Sequence, residues 1–294
     1  MVPRLDLALS AGRRSAGASM TFPLDIASAV AAFGLRRLSR LHVGPLIRVR
    51  RFSDNTEMDI GARADGWLDA QGLSTFVGPG SAYGVTWYDQ SGNGRHVTQT
   101  TAASQPRIVD AGVLDSAPNG RPWLWGDGTK WLMTDSFNDL PAGAAPSTIA
   151  TVARVSAGSG ANWMTAGISY GGQAVRGVRI VGNASTGFAA MPTINDDLIS
   201  TLSLVGQHRS MIGIFRAASG TLHIDGSAFA KNYAAALATV TPSRIVVMAR
   251  TGAGGPGFEA WRGNVAETML FAGELSADQI SALRVSHQNA WGTP

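Results

Sequence analysis

The stretch Val85-Thr86-Trp87-Tyr88-Asp89-Gln90-Ser91-Gly92-Asn93-Gly94-Arg95-His96 decides the fold class. Its first four residues are β-branched or aromatic, the types that fit a pleated, half-buried surface. The run then stops at Asp89–Gly94, where two glycines and an asparagine supply the backbone freedom a tight turn needs. A strand running into a turn cluster recurs on both sides of it. Upstream, Leu46-Ile47-Arg48-Val49-Arg50 alternates after its first pair, which places Ile47 and Val49 inward and Arg48 and Arg50 outward. Downstream, strands are expected at Thr148–Val155, Gly177–Val181, Arg209–Arg216, Thr221–Ile224, Ser243–Met248 and Gly263–Phe271. The Asp225-Gly226 pair after Ile224 is the signature of a type I′ hairpin.

Two helices are expected to flank these strands. Asp25 to Arg40 reads as a short helix capped by Asp25, with Ile26, Val30, Phe33 and Leu41 on one face and Gly34 weakening it. Near the C-terminus Ser276 and Gln279 form a capping box, with Leu275 and Ile280 as a staple across it. Ile280, Leu283, His287 and Trp291 then repeat at helical spacing until Gly292 and Pro294 end the helix. The result is an all-β chain, a two-sheet antiparallel β-sandwich with short helices near its N- and C-termini. Residues 1–21 read as an arm or linker and 22–294 as one sandwich domain.

Composition agrees. The chain has 294 residues, 45% hydrophobic and 15% charged, with 36 glycines. That is too apolar for a disordered chain and suits many turns. With no cysteine, disulfides and thiolate metal sites are excluded. The net charge is +4, carried almost wholly by arginine, since Lys130 and Lys231 are the only lysines. A basic balance admits anionic polysaccharide or nucleic acid, but the basic–aromatic stripe of single-strand binders is missing, so a nucleic-acid partner is not expected. Leu5–Ala11 is too short and broken for a signal-peptide core, and no apolar run reaches the roughly 20 residues of a membrane helix. Synthesis in a cytoplasm without membrane insertion is expected.

Two segments resemble known families. The first comprises residues 44–61, 85–112 and 119–132, with the run Tyr88–His96 as its most specific part. It resembles the opening of the catalytic domain of α-L-arabinofuranosidase B, a concanavalin-type sandwich, and phage tail and other virion proteins that carry the same module. The second comprises 220–227 and 261–292 and is similar to the closing strand and helix of laminin-G-like and concanavalin-like jelly rolls. The resemblance implies the sandwich fold and a sugar-facing ancestry. It carries no catalytic residue over: the only glutamates are Glu57, Glu259, Glu267 and Glu274, none in the middle of the chain where the arabinofuranosidase family places its carboxylates. On the virion likeness, the chain is expected to be a tail-tip, fibre or spike component of a phage virion. It would recognise host surface polysaccharide, dock to other virion proteins through its N-terminal arm, and form a homo-oligomer. A glycoside hydrolase acting on polysaccharide, and a structural decoration or adaptor protein, are the alternatives.

A hydrolase of that kind needs two carboxyl groups about 5–10 Å apart. Asp196-Asp197 are adjacent and would point to opposite faces of a strand, and Asp89 with Asp127 both precede turn residues, where a capping role is commoner. Histidines His96, His208 and His223 lack metal-ligand spacing, Gly252–Gly257 lacks the Lys-Ser/Thr of a phosphate loop, and no calcium-loop run is present. No catalytic residue, metal or cofactor is therefore assigned. Trp123 and Trp125 alternate around Leu124 and share one strand face. With Trp131 they form either a sugar-stacking or subunit-contact platform, or packing under a neighbouring loop or the N-terminal helix. Tyr88, Asp89, His96, Arg48 and Arg50 complete the set of candidate glycan or partner contacts.

Overall fold

The computed structural model describes residues 21–156, 163–170, 174–180, 188–190, 198–200, 202, 205–234, 243–252 and 255–294. Its strands pair antiparallel and stack in two layers. In the first layer, Ser227–Asn232, Ser219–Ile224, His208–Phe215, Ser147–Val155 and Arg262–Phe271 lie side by side. Ala31–Gly34 and Leu124–Asp127 share the far edge of Arg262–Phe271, each pairing with one half of it. The second layer runs from Leu198–Ile199 through Phe188–Ala190, Ala174–Ile180, Trp163–Tyr170, Ser243–Val247, Leu132–Met133, Val97–Thr98 and Ala82–Trp87 to Ile47–Arg51 and Glu57–Ile60. Arg107–Asp110 pairs with both Ala82–Trp87 and Leu124–Asp127 and so joins the layers along one side. Among the described residues no helix is long and apolar enough to cross a membrane.

The core lies between the layers. Ile149, Ala153, Met211, Phe215, Leu222 and Ile224 meet Ile47, Val49, Trp87, Ile168, Val178, Ile245 and Val247 in one buried cluster. Each fully buried aliphatic side chain of this size contributes about 1.5–3 kcal/mol. The alternation read at Ile47 and Val49 is therefore the sheet's inward face, and the Asp225-Gly226 turn closes a two-residue hairpin in which Ile224 faces Ser227 and Asp225 takes φ 52°.

The outer face of the first layer is covered as well. Helix Ala277–Trp291 lies across it, with Leu283, His287, Ala290 and Trp291 buried. The capping box is formed as expected: Ser276 Oγ accepts from Gln279 N at 3.2 Å and Gln279 Oε1 from Ser276 N at 2.9 Å. Gly292 closes the helix in the left-handed conformation. Leu283 and Leu275 pack on Ala32, Ala150, Ile212, Met269 and Phe271, while Trp291 and Ala290 pack on Trp123, Val152 and Ala266.

The helix expected over Asp25–Arg40 is not formed. Only Pro23–Ile26 is helical, and Ala31–Gly34 is a strand against Glu267–Leu270. Ala31 and Phe33 enter the inter-layer core while Ala32 enters the outer cluster. A strand apolar on both faces produces a continuous apolar run that helical spacing also fits. A further helix, Ala70–Val77, was not anticipated, although Asp69 caps it by accepting from Gly72 N at 3.0 Å.

Candidate functional site

Most of the residues singled out in the sequence fall on the outer face of the second layer and its seam with the first. Arg50 stands opposite Tyr83, Tyr83 opposite Arg107, and Arg107 opposite Trp125. Trp125 is opposite Asn264, Asn264 opposite Arg154, and Arg154 opposite His208. Directly opposed residues share a face, so these seven form one row across seven strands, roughly 29 Å long at the usual strand spacing. Cations and rings alternate along it. The Arg50 guanidinium is 5.3 Å from the Tyr83 ring centroid, that of Arg107 is 4.3 Å from Trp125, and that of Arg154 is 6.0 Å from Trp123. Arg107 is locked by Asp115 (2.8 and 3.1 Å) and Asp110 (2.7 Å), and the Asp115 hydrogen bond is the leading reason its pKa is raised. Tyr83, Arg107, Arg154 and Asn264 were not found from sequence, because only cross-strand register brings them beside Trp125.

Two expectations on this row need correction. Arg50 is not outward in the sense of solvated: it is 7% exposed, with Nε donating to Gln105 Oε1 at 2.7 Å and Nη1 to Asn55 Oδ1 at 2.8 Å. Trp123 shares the face of Trp125, as alternation requires, but is 6% exposed beneath Trp291 and Ala290. It is packing, and the cover is the C-terminal helix rather than the N-terminal one. Trp131 is half-buried on Val246, Ala249 and Ala260, away from the row.

A second group lies at the other end of the Ile47–Arg51 strand. Arg48 forms a two-pronged pair with Asp59 (2.8 and 2.9 Å), and the Tyr88 hydroxyl donates to the same carboxylate at 2.8 Å. The Arg48 hydrogen bond lowers the Asp59 pKa, and burial, then Asp59, pushes Tyr88 up to about 12, so Tyr88 stays a neutral donor. The His96 ring packs edge-on to Tyr88 with centroids 5.0 Å apart. His96 Nδ1 accepts from Asp89 N at 3.1 Å.

Asp89 itself does not face solvent. It is 4% exposed, and its carboxylate accepts from Ala32 N (2.9 Å), Ser91 N (2.9 Å), Ser91 Oγ (2.7 Å) and Arg95 N (3.0 Å). Its neighbours bind the same segment. Gln90 accepts from Leu38 N and donates to the Gly34 and Arg36 carbonyls, and Asn93 donates to the carbonyls of Ala29 and Val30. The most specific motif of the resemblance is thus a clamp on the backbone of residues 29–38.

Two cavities flank the C-terminal helix. One, of about 580 Å³, is lined by residues that include Asp225, Glu274, His223, Arg216 and Arg284. The other, of about 540 Å³, includes Trp67, Arg37, Asp65 and Asn289. Neither presents two unpaired carboxylates: Glu274 is bound by Arg216, Asp225 by Arg209 and Asp65 by Arg63. Elsewhere Glu259 is held by Arg250 and Arg179, and Glu267 by Arg36. Asp127 is tied to Thr129 and Lys130. Asp196 and Asp197 lie outside the described residues, as do residues 1–20 of the expected arm. Among the described residues no cluster of three or more His, Cys, Asp or Glu could hold a metal ion. Among the described residues, the carboxylates that line the two cavities are each paired with an arginine.

Comparison with known proteins bears on the fold. The family model described as "Alpha-L-arabinofuranosidase B, catalytic" matches residues 25–120, the part of the chain that contains the clamp. Among solved structures, the chain is similar to an arabinofuranosidase complexed with arabinofuranosyl-α-1,2-xylobiose, at 17% identity and TM-score 0.67 over 92% of this chain and 65% of that one. It is similar to a mutant GH54 α-L-arabinofuranosidase soaked with 4-nitrophenyl α-L-arabinofuranoside, at 16% identity and TM-score 0.67 over 92% and 66%. A third, a GH54 α-L-arabinofuranosidase soaked with a cyclic sulfate inhibitor, gives 17% identity and TM-score 0.64 over 92% and 66%. The chain therefore has the sandwich fold of these enzymes and spans about two thirds of their length. No curated protein matches it. These findings overturn the expectation of a phage tail or spike component: the family model that matches and the three structures above are of arabinofuranosidases.

Proposed function

We propose that the protein is a carbohydrate-active domain of the glycoside hydrolase kind, directed at arabinofuranosyl units on a polysaccharide. The observation that carries this reading is the likeness of 92% of the chain to arabinofuranosidase structures, with the family model on residues 25–120 in support. The part-exposed members of the row, Tyr83, Arg107, Trp125 and Arg154, fit the reading, because sugars offer hydroxyls to guanidinium forks and apolar C–H faces to rings. In this scheme the glycan chain lies along the row, with Trp125 and Tyr83 as its ring contacts.

A second reading has one observation in its favour. The carboxylates of both cavities are neutralised by arginines, and a glycosidase needs one carboxyl group free to give up a proton and another free to attack or activate water. A domain that holds the glycan without cleaving it would show this pattern. One experiment separates the readings: incubation with 4-nitrophenyl α-L-arabinofuranoside and with arabinose-substituted xylan, measuring released nitrophenol, released arabinose and retention of the protein on the xylan. Release from either substrate is the expected result. Retention without release supports the non-cleaving reading, and neither release nor retention overturns both.

A further inference from the structure

The cavity between the start of the C-terminal helix and the hairpin at Asp225 has a function of its own to explain. Helix residues Ala277, Ser281 and Arg284 recur at spacings of four and three, so they present one face to it. The opposite wall is Arg216, His223 and Gly226, and Ile214, Leu275 and Ile280 give it apolar surface. Its volume of about 580 Å³ is in the range of sites that enclose a small ligand.

Its charges do not cancel. Glu274 is consumed by Arg216, whose Nε approaches Oε2 at 2.7 Å and whose Nη1 is also bound to Thr221 Oγ1 at 2.9 Å. Asp225 is consumed by Arg209 Nη1 (2.7 Å) and Ser210 N (3.0 Å). Two polar groups are left over. The side chains of Arg284 and His223 make no hydrogen bond or ion pair among the described residues, although both line the cavity. Burial, then the Arg216 charge, lowers the His223 pKa, so the ring is neutral at neutral pH and offers one donor and one acceptor. One uncompensated guanidinium, a neutral imidazole, the Ser276 and Ser281 hydroxyls and an apolar wall match a ligand with one negative charge, several hydroxyls and a C–H face.

We propose that this cavity is a second saccharide site, one that takes an acidic sugar residue, with Arg284 binding its carboxylate and His223 a ring hydroxyl. The site is independent of the hydrolase reading, since it lies apart from the arginine–aromatic row and requires no bond cleavage.

The test is a titration of the full chain with D-glucuronate, D-glucose and inorganic phosphate, followed by the NMR signals of the His223 ring. Glucuronate is expected to shift those signals saturably, glucose and phosphate far less. Arg284→Gln, which removes the charge but no packing partner, is expected to weaken glucuronate binding roughly tenfold or more, the loss typical of one charge-assisted hydrogen bond, with an unchanged melting temperature. Equal binding of glucose would overturn the acidic-sugar assignment, and equal binding of phosphate would reduce the site to an anion hole. Glucuronate affinity unchanged in Arg284→Gln, or no saturable shift at all, would remove the site altogether.

Discussion

Replacing Asp89 by alanine separates a clamp from a reacting carboxylate. Its four accepted hydrogen bonds come from Ala32 N, Ser91 N, Ser91 Oγ and Arg95 N. Bonds to an ionised acceptor are worth about 1.5–3 kcal/mol each, and a buried donor left without a partner costs about 1–3 kcal/mol. The Ser91 and Arg95 donors are part-exposed and can turn to water, whereas the Ala32 amide is fully buried. The net loss is about 3–5 kcal/mol, less than the sum of four bonds because of that compensation. For a domain of this size it lowers the melting temperature by roughly 6–20 °C. Asp89→Asn keeps Oδ1 for Ala32 and Ser91 but turns an amide toward Arg95 N, so about 1–3 kcal/mol is expected. Urea denaturation followed by tryptophan fluorescence reads both variants, with glycan retention and hydrolysis measured alongside. A variant with an unchanged unfolding midpoint and abolished retention or hydrolysis would refute the clamp and return Asp89 to the site.

Glu267 is wholly buried, between Arg36 (2.7 and 3.0 Å), Trp291 Nε1 (2.9 Å) and His287 Nε2 (3.1 Å). Glu267→Gln strands the Arg36 charge and should cost about 3–5 kcal/mol in urea denaturation at neutral pH. Burial acts to raise the Glu267 pKa, but the Arg36 charge first and His287 next outweigh it and depress it. The group's stabilisation is therefore complete above the unfolded-state value of about 4.3 and is lost as pH falls through the lower folded value. Wild type should lose stability on acidification in that range, and Glu267→Gln should lose less of it. Trp123→Ala should cost about 3–5 kcal/mol, as a buried ring does, whereas Trp125→Ala should leave folding nearly intact and weaken retention on arabinose-substituted xylan by roughly tenfold, as loss of about 1.4 kcal/mol of ring contact would; matching thermal and retention profiles for the two would show that the row is not a binding face. Gly263 has φ 139°, and a Cβ there would meet Arg154 O at 2.0 Å. Gly263→Ala should thus lower stability by about 3 kcal/mol or more, and a normal melting curve would mean that the seam between these strands is softer than described.

Local patterns were legible where one rule governed the residues involved. The capping box at Ser276 and the alternation at Ile47 and Val49 depend on near neighbours in sequence and stand as read, and the hairpin at Asp225-Gly226 forms, though not as type I′, since Asp225 but not Gly226 takes the left-handed φ. The Ala31–Gly34 strand did not follow, because its partners lie near the far end of the chain and at Asp89, and a run buried on both faces carries no period of its own. The same limit governs the site. Trp125 was visible as an aromatic on an outer face, but its row depends on the register of Tyr83, Arg107 and Asn264 across other strands. Arg50 shows the opposite failure: alternation gave its direction correctly and its exposure wrongly, since Gln105 arrives from elsewhere to cover it. Arg284 was read past altogether, being an ordinary polar position on the helix until the hairpin faces it.

The pairing of Ala31–Gly34 with Glu267–Leu270 has a consequence for the order of events during synthesis. The strand leaves the ribosome more than 230 residues ahead of its partner. At ordinary translation speeds the interval is on the order of half a minute, during which a strand edge without a partner invites pairing with another chain. The Asp89–Asn93 loop emerges far sooner and binds the other edge of the strand, through Ala32 N to Asp89 and Gln90 N to Ala32 O. In the nascent chain it can serve as a holdfast, fixing the strand's conformation and closing one of its two edges while the other waits. The loop would then serve the passage to the folded state as much as the folded state itself.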